Sequence, residues 1–156
     1  MTIGKRNLRA GPAYEKEIVD EFNAHQLFPT LFRSQEINKK ADKNKNDIVA
    51  QNVNDFEFSI QAKSTTNKVP YYKLIDELKE NYPFHTPLVF HKYNKRVKDR
   101  YITKDRYVIL RQEDFIKILV DKKKYEQAYL ELMTYWDTFT DSQQKVLDEF
   151  LNNVGL

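Results

Sequence analysis

At 156 residues, with no cysteine and a formal charge of +3, the chain has the size of one ordinary domain. Disulfide scaffolds, thiolate zinc sites and cysteine nucleophiles are excluded. No apolar run is long enough to span a bilayer and the first residues lack the apolar core of a secretory signal, so a soluble chain with a cytoplasmic location, cellular or phage-encoded, is expected.

Residues 1–10 read as a flexible basic arm carrying Lys5, Arg6 and Arg9. Gly11 serves as its joint, and Pro12 suits the first turn of a helix running to about His25. Tyr14, Ile18, Val19 and Phe22 recur there at helical spacing. Glu15 shares that stripe, which turns its carboxylate toward the protein body; the plainer reason for an acid in a first turn is the positive end of the helix dipole. Residues 27–34 predict a first strand ending in Arg33 and Ser34. Residues 35–46, with Lys39, Lys40, Lys43 and Lys45, show no periodicity and predict a mobile loop.

Residues 47–51 and 56–64 then form a hairpin around the polar turn 52–55. On its second strand Phe58, Ile60 and Ala62 point one way and Glu57, Ser59, Gln61 and Lys63 the other, predicting one buried face and one free polar face. Pro70 opens a second helix with the stripe Leu74, Ile75 and Leu78, which ends before Pro83. Residues 88–91 and 107–110 read as strands. Between them lies a basic, tyrosine-bearing excursion, 92–106, that includes Lys92, Lys95 and Arg96.

The last third is helical, with aromatic stripes through Tyr125, Tyr129 and Trp136 and through Val146, Leu147 and Phe150, suited to core or subunit contact. Thr140-Asp141-Ser142-Gln143 matches a capping box. The expected architecture is a single α/β domain: a mixed central sheet of about four or five strands flanked by helices over residues 11–111, and a C-terminal helical extension over 112–156.

Basic loops of this kind suit a binder of phosphate backbones, although each cluster alone is more simply a solvated surface. If Glu15, Asp47 and Gln61 converge, two carboxylates and an amide carbonyl make a hard-oxygen site for Mg²⁺ or Mn²⁺. Lys63, on the same strand face as Gln61, would orient an attacking water and offset charge on a phosphate. That is the geometry of metal-assisted phosphodiester hydrolysis, though spacing alone signals it weakly. Singly, Asp47 also suits a turn cap and Lys63 a strand-end surface charge. His25, His85 and His91 show no zinc spacing and read as surface or strand-end residues. The three glycines form no phosphate-cradling loop.

Four blocks in order, Gly11-Pro12-Ala13-Tyr14-Glu15, Arg33-Ser34, Asn46-Asp47-Ile48-Val49-Ala50 and Ile60-Gln61-Ala62-Lys63-Ser64, resemble the motif set of the PD-(D/E)xK nuclease superfamily. The chain is most similar to Holliday junction resolvases of the archaeal type, over residues 9–64. The resemblance implies a restriction-endonuclease-like fold and Mg²⁺- or Mn²⁺-dependent cutting of branched DNA by a homodimer. Asp47 would be the central metal ligand and Glu15 a further acid, with Gln61 and the Ala62 backbone carbonyl completing the set. Lys63 would be the catalytic lysine and Ser34 a residue near the scissile phosphate. Arg33, the basic arm and the lysine clusters would grip DNA phosphates.

Two positions depart from the pattern. Asn46 stands where the family name has proline. Gln61 replaces the usual acid and removes one negative charge, as in the Gln-x-Lys version found among Mrr-like restriction enzymes. Two alternatives follow: a restriction- or repair-type nuclease on linear duplex DNA, and a noncatalytic DNA-binding relative.

Overall fold

The computed structural model describes residues 10–26, 28–52 and 55–154. Lys5, Arg6 and Arg9 lie outside the described residues, as do the side chains of Phe150, Leu151 and Val154. The chain divides into two compact units, one ending at Leu110 and one beginning at Arg111.

The first unit is α/β. Its elements are α1 (Ala10–His25), β1 (Leu31–Arg33), α2 (Ser34–Ile37), α3 (Lys39–Lys43), β2 (Ile48–Ala50), β3 (Phe58–Thr65), α4 (Tyr71–Asn81), β4 (Thr86–Val97) and β5 (Arg100–Ile109). The five strands form one mixed sheet in the order β1-β2-β3-β4-β5. All neighbours are antiparallel except β3 and β4, which run parallel and are joined through α4.

The alternation along β3 builds a two-sided core. Ile60 and Ala62 join Tyr14, Ile18 and Val19 of α1, with Ile48, Ala50, Phe56 and Leu88, in one buried apolar cluster. Phenylalanines extend it, with Phe28 and Phe56 meeting edge to face at 5.1 Å between ring centroids. The opposite face is not free, contrary to expectation. Ser59 and Gln61 are as buried as the apolar residues, because α4 packs over β3 and β4 and brings Ile75 and Leu78 onto that side.

Three further expectations are corrected. Gly11 lies inside the first turn of α1, not at a joint before it. The first strand is only three residues long: Pro29 supplies no N–H, and Asn23 of α1 takes up both backbone groups of Leu31, accepting from its N–H at 2.8 Å and donating to its carbonyl at 3.0 Å. The segment 35–46 is not a loop but the two short helices α2 and α3. Asn38 caps α3 by accepting from Ala41 N–H at 3.0 Å, and Ala41 is buried.

The basic excursion 92–106 is likewise strand: β4 and β5 form a long antiparallel hairpin turning at Lys98 and Asp99, with Lys98 in the left-handed region at φ 53°. Its outer part is exposed on both faces, so no apolar alternation marks it in the sequence.

The second unit holds α5 (Gln112–Thr134), a short 3-10 turn at Trp136–Thr138 and α6 (Asp141–Val154). The capping box forms: Thr140 N–H donates to Gln143 Oε1 at 2.9 Å and Gln143 N–H to Thr140 Oγ1 at 3.4 Å. Among the described residues none of α5 is buried. No described helix is long and apolar enough to cross a membrane.

Candidate active site

Ile48 stands opposite Ile60, which brings Asp47 beside Gln61 where β2 begins. Asp47 is held from three sides. Its N–H donates to the Ile60 carbonyl at 2.7 Å and its own carbonyl accepts from Ser34 N–H at 2.8 Å. Its Oδ2 accepts from Ala62 N–H at 2.7 Å and from Gln61 Nε2. Preceding it, Asn46 is buried and accepts from Ile60 N–H through Oδ1 at 2.8 Å, while its own N–H donates to the Ala41 carbonyl at 3.0 Å. An amide here ties α3 and β3 together, which a proline, lacking the N–H, could not do.

Glu15 reaches the same region from α1. Its Oε2 accepts from Gln35 Nε2 at 2.8 Å, and Gln35 directly follows Ser34. Burial raises the Glu15 carboxyl above the ordinary range; Gln35, Arg33 and Lys63 draw it back down, and Asp42 adds to the rise. Burial likewise pushes Asp47 up to about 6, helped by the negative charge of Glu15 and opposed by Ala62 N–H, Lys63 and the Gln61 amide. Glu15, Asp47 and Lys63 therefore sit within one another's electrostatic reach.

The chemistry of this cluster turns on what is left over. Spending Nε2 on Asp47 leaves Gln61 Oε1 buried with no hydrogen-bond partner among the described residues, and Ser34 Oγ is in the same position. A buried acceptor without a donor costs roughly 1–3 kcal/mol, so native structures keep one only where something else compensates. A cation does so for an amide oxygen. Two carboxylates and an amide oxygen are donors that Mg²⁺ or Mn²⁺ prefers, and by donor type the residues present suit such an ion. Among the described residues no group of three or more His, Cys, Asp or Glu side chains is placed to hold a metal.

The remaining candidates are placed unevenly. Arg33 gives its guanidinium to Glu36 and, at 3.4 Å, to the Pro12 carbonyl. Lys39, Lys40 and Lys43 are exposed on α3, and Lys45 is exposed at φ 67° just before Asn46. Lys92 is engaged by Glu17, with Nζ–O distances of 2.7 and 2.8 Å. Lys95 and Arg96 are exposed on the hairpin.

His91, expected at the surface or a strand end, is buried. It stands next to Lys63 on the neighbouring strand, and its Nδ1 lies 2.6 Å from the Tyr71 hydroxyl. Burial lowers its pKa, against an opposing hydrogen bond to the Thr65 backbone, and so favours the neutral ring. Neither His91 nor Gln35 was singled out by sequence. Parity could have found the histidine, since Val89 and His91 alternate in step with Gln61 and Lys63.

Compared with family models, with curated proteins and with solved structures, the chain has no match.

Proposed function

We propose that the chain is a divalent-metal-dependent, structure-selective DNA endonuclease of the Holliday junction resolvase type, its sheet a restriction-endonuclease-like version of the α/β architecture. The observation that carries this reading is the unpartnered, buried Gln61 Oε1 beside the Asp47 carboxylate, within the field of Glu15 and Lys63. Glu15, Asp47, Gln61 Oε1 and the Ala62 carbonyl would hold Mg²⁺ or Mn²⁺. The bound ion would polarise the phosphodiester and make its water a better nucleophile.

Lys63 has the charge to orient the attacking water and to stabilise the growing negative charge on the phosphate. Ser34, expected beside the phosphate, is buried, and its part is to hold the Asp47 carbonyl through its backbone N–H. The exposed lysines Lys39, Lys40, Lys43 and Lys45 lead into Asp47 and would hold the backbone beside the cut without reading sequence. Symmetric cutting of a four-way junction would call for a homodimer.

Cleavage assays on four-way junction, flap and linear duplex with Mg²⁺ or Mn²⁺ test the reading. Nicking confined to branched DNA, lost in Asp47→Ala and Lys63→Ala while DNA binding persists, is the expected outcome. Cutting of linear duplex at equal rate would move the chain to the restriction or repair class. One observation favours a noncatalytic DNA-binding protein: Gln61 Nε2 closes on Asp47 where an acid would leave that carboxylate open. Binding without nicking at any divalent ion would establish it.

A further inference from the structure

Immediately beyond Lys63 the end of β3 borders a polar cleft of about 370 Å³, a volume within the range of small-ligand sites. Ser64 and Asn67 line one side, and Lys92, Asn94, Tyr101 and Thr103 of the hairpin line the other. A register shift assembles this wall. Lys92 pairs with Arg106 and Tyr93 with Asp105, but past the shift Asn94 pairs with Thr103 and Arg96 with Tyr101.

Lys104 is the extra residue. Without it, strict alternation would aim Thr103 and Tyr101 at the face of Tyr107; with it, they join Lys92 and Asn94. The bulge thus delivers a half-exposed tyrosine ring and a hydroxyl to a cleft they would otherwise miss.

The lining has both donors and acceptors and little net charge. Asn94 Nδ2 donates to Ser64 Oγ at 2.9 Å, and Thr103 Oγ1 donates to Asn94 Oδ1 at 3.3 Å. Glu17 is neutralised twice, by Lys92 and by Arg106 at 3.1 Å, so the three side chains together leave one positive charge. A phosphate grip would concentrate cations. Amides and hydroxyls beside an exposed aromatic ring suit instead a nucleobase stacked on the ring, its edges and sugar hydrogen-bonded, with one cation near its phosphate.

We propose that this cleft takes an unpaired nucleotide of a DNA strand. Ser64 and Lys92 lie on the α1 side of the sheet while Lys63 points to the other face, so the cleft would hold a parted strand on the face of the sheet opposite Lys63. That the strand held there belongs to a substrate rests on the nuclease reading; the binding itself does not.

The test uses the whole chain in EDTA, so that nothing is cut. Fluorescence anisotropy compares a labelled single-stranded deoxyoligonucleotide with a blunt duplex of the same sequence. Tyr101→Ala is expected to weaken single-strand binding about tenfold, with duplex binding unchanged and Tyr101→Phe close to wild type. Crosslinking with 5-iodouracil in the single strand should map to Tyr101. Equal losses on both DNAs, no loss on either, or crosslinks only elsewhere would overturn the proposal. A chain with the single-strand preference that never cuts would sink the nuclease reading and spare the cleft, whereas one that cuts but ignores Tyr101→Ala would do the reverse.

Discussion

Asp47 is a buried acid held by neighbours that only partly offset its desolvation, and this makes it a stability liability before it is anything else. Its folded pKa, about 6, lies above the ordinary aspartate value of 3.8. Between those values the folded chain binds more protons than the unfolded one, so this residue's contribution to stability falls as pH rises through the window and levels off above it. Asp47→Asn removes the titration while leaving an oxygen to accept from Ala62 N–H. The variant is therefore expected to gain on wild type by roughly 1–3 kcal/mol between pH 4 and pH 7.5, read from urea unfolding at both values. The same variant should lose divalent binding by calorimetry. A constant difference across pH would mean that Asp47 does not titrate as described. Because the Glu15 carboxyl is also raised, divalent binding is expected to weaken as pH falls.

At the scale of elements, the four blocks that suggested a site are carried by α1, the start of α2, β2 and β3, and what joins them is backbone pairing around Asp47 more than side-chain contact. Asn46 is the clearest structural member of that joint. Asn46→Ala strands the buried Ile60 N–H, and a cost of about 1–3 kcal/mol is expected in denaturant unfolding. A change within a few tenths would show that the amide carries no such duty.

The stripe of α1 and the alternation of β3 were legible because each element has one face in a common apolar cluster. The helices α2 and α3 were not, since they rest on local caps and one buried alanine and show no periodic apolar face. The outer hairpin escaped for the opposite reason: its cross-strand pairing needs no core. Gln61 was legible as a candidate from its spacing to Lys63, but its orphaned oxygen required the partner strand and α4 to be in place. The burial of His91 needed the same helix.

For the molecule as a whole, the modest net charge conceals two exposed basic groups, Lys39, Lys40, Lys43 and Lys45 between β1 and β2 and Lys95 and Arg96 on the β4–β5 hairpin. If these side chains neutralise phosphates, the logarithm of the DNA association constant should fall with the logarithm of salt with a slope of about −4 to −6. Replacing Lys39, Lys40 and Lys43 with alanine should make it shallower by roughly 2–3, and an unchanged slope would remove α3 from the interface.

Convergence of Glu15, Asp47 and Gln61 on one ion is read directly from a crystal of the chain soaked in Mn²⁺ and examined at the manganese absorption edge. An anomalous peak roughly 2 Å from both Asp47 and Gln61 Oε1, with Glu15 turned toward it, is the expected result. A peak on other residues, or none at millimolar Mn²⁺, would contradict it.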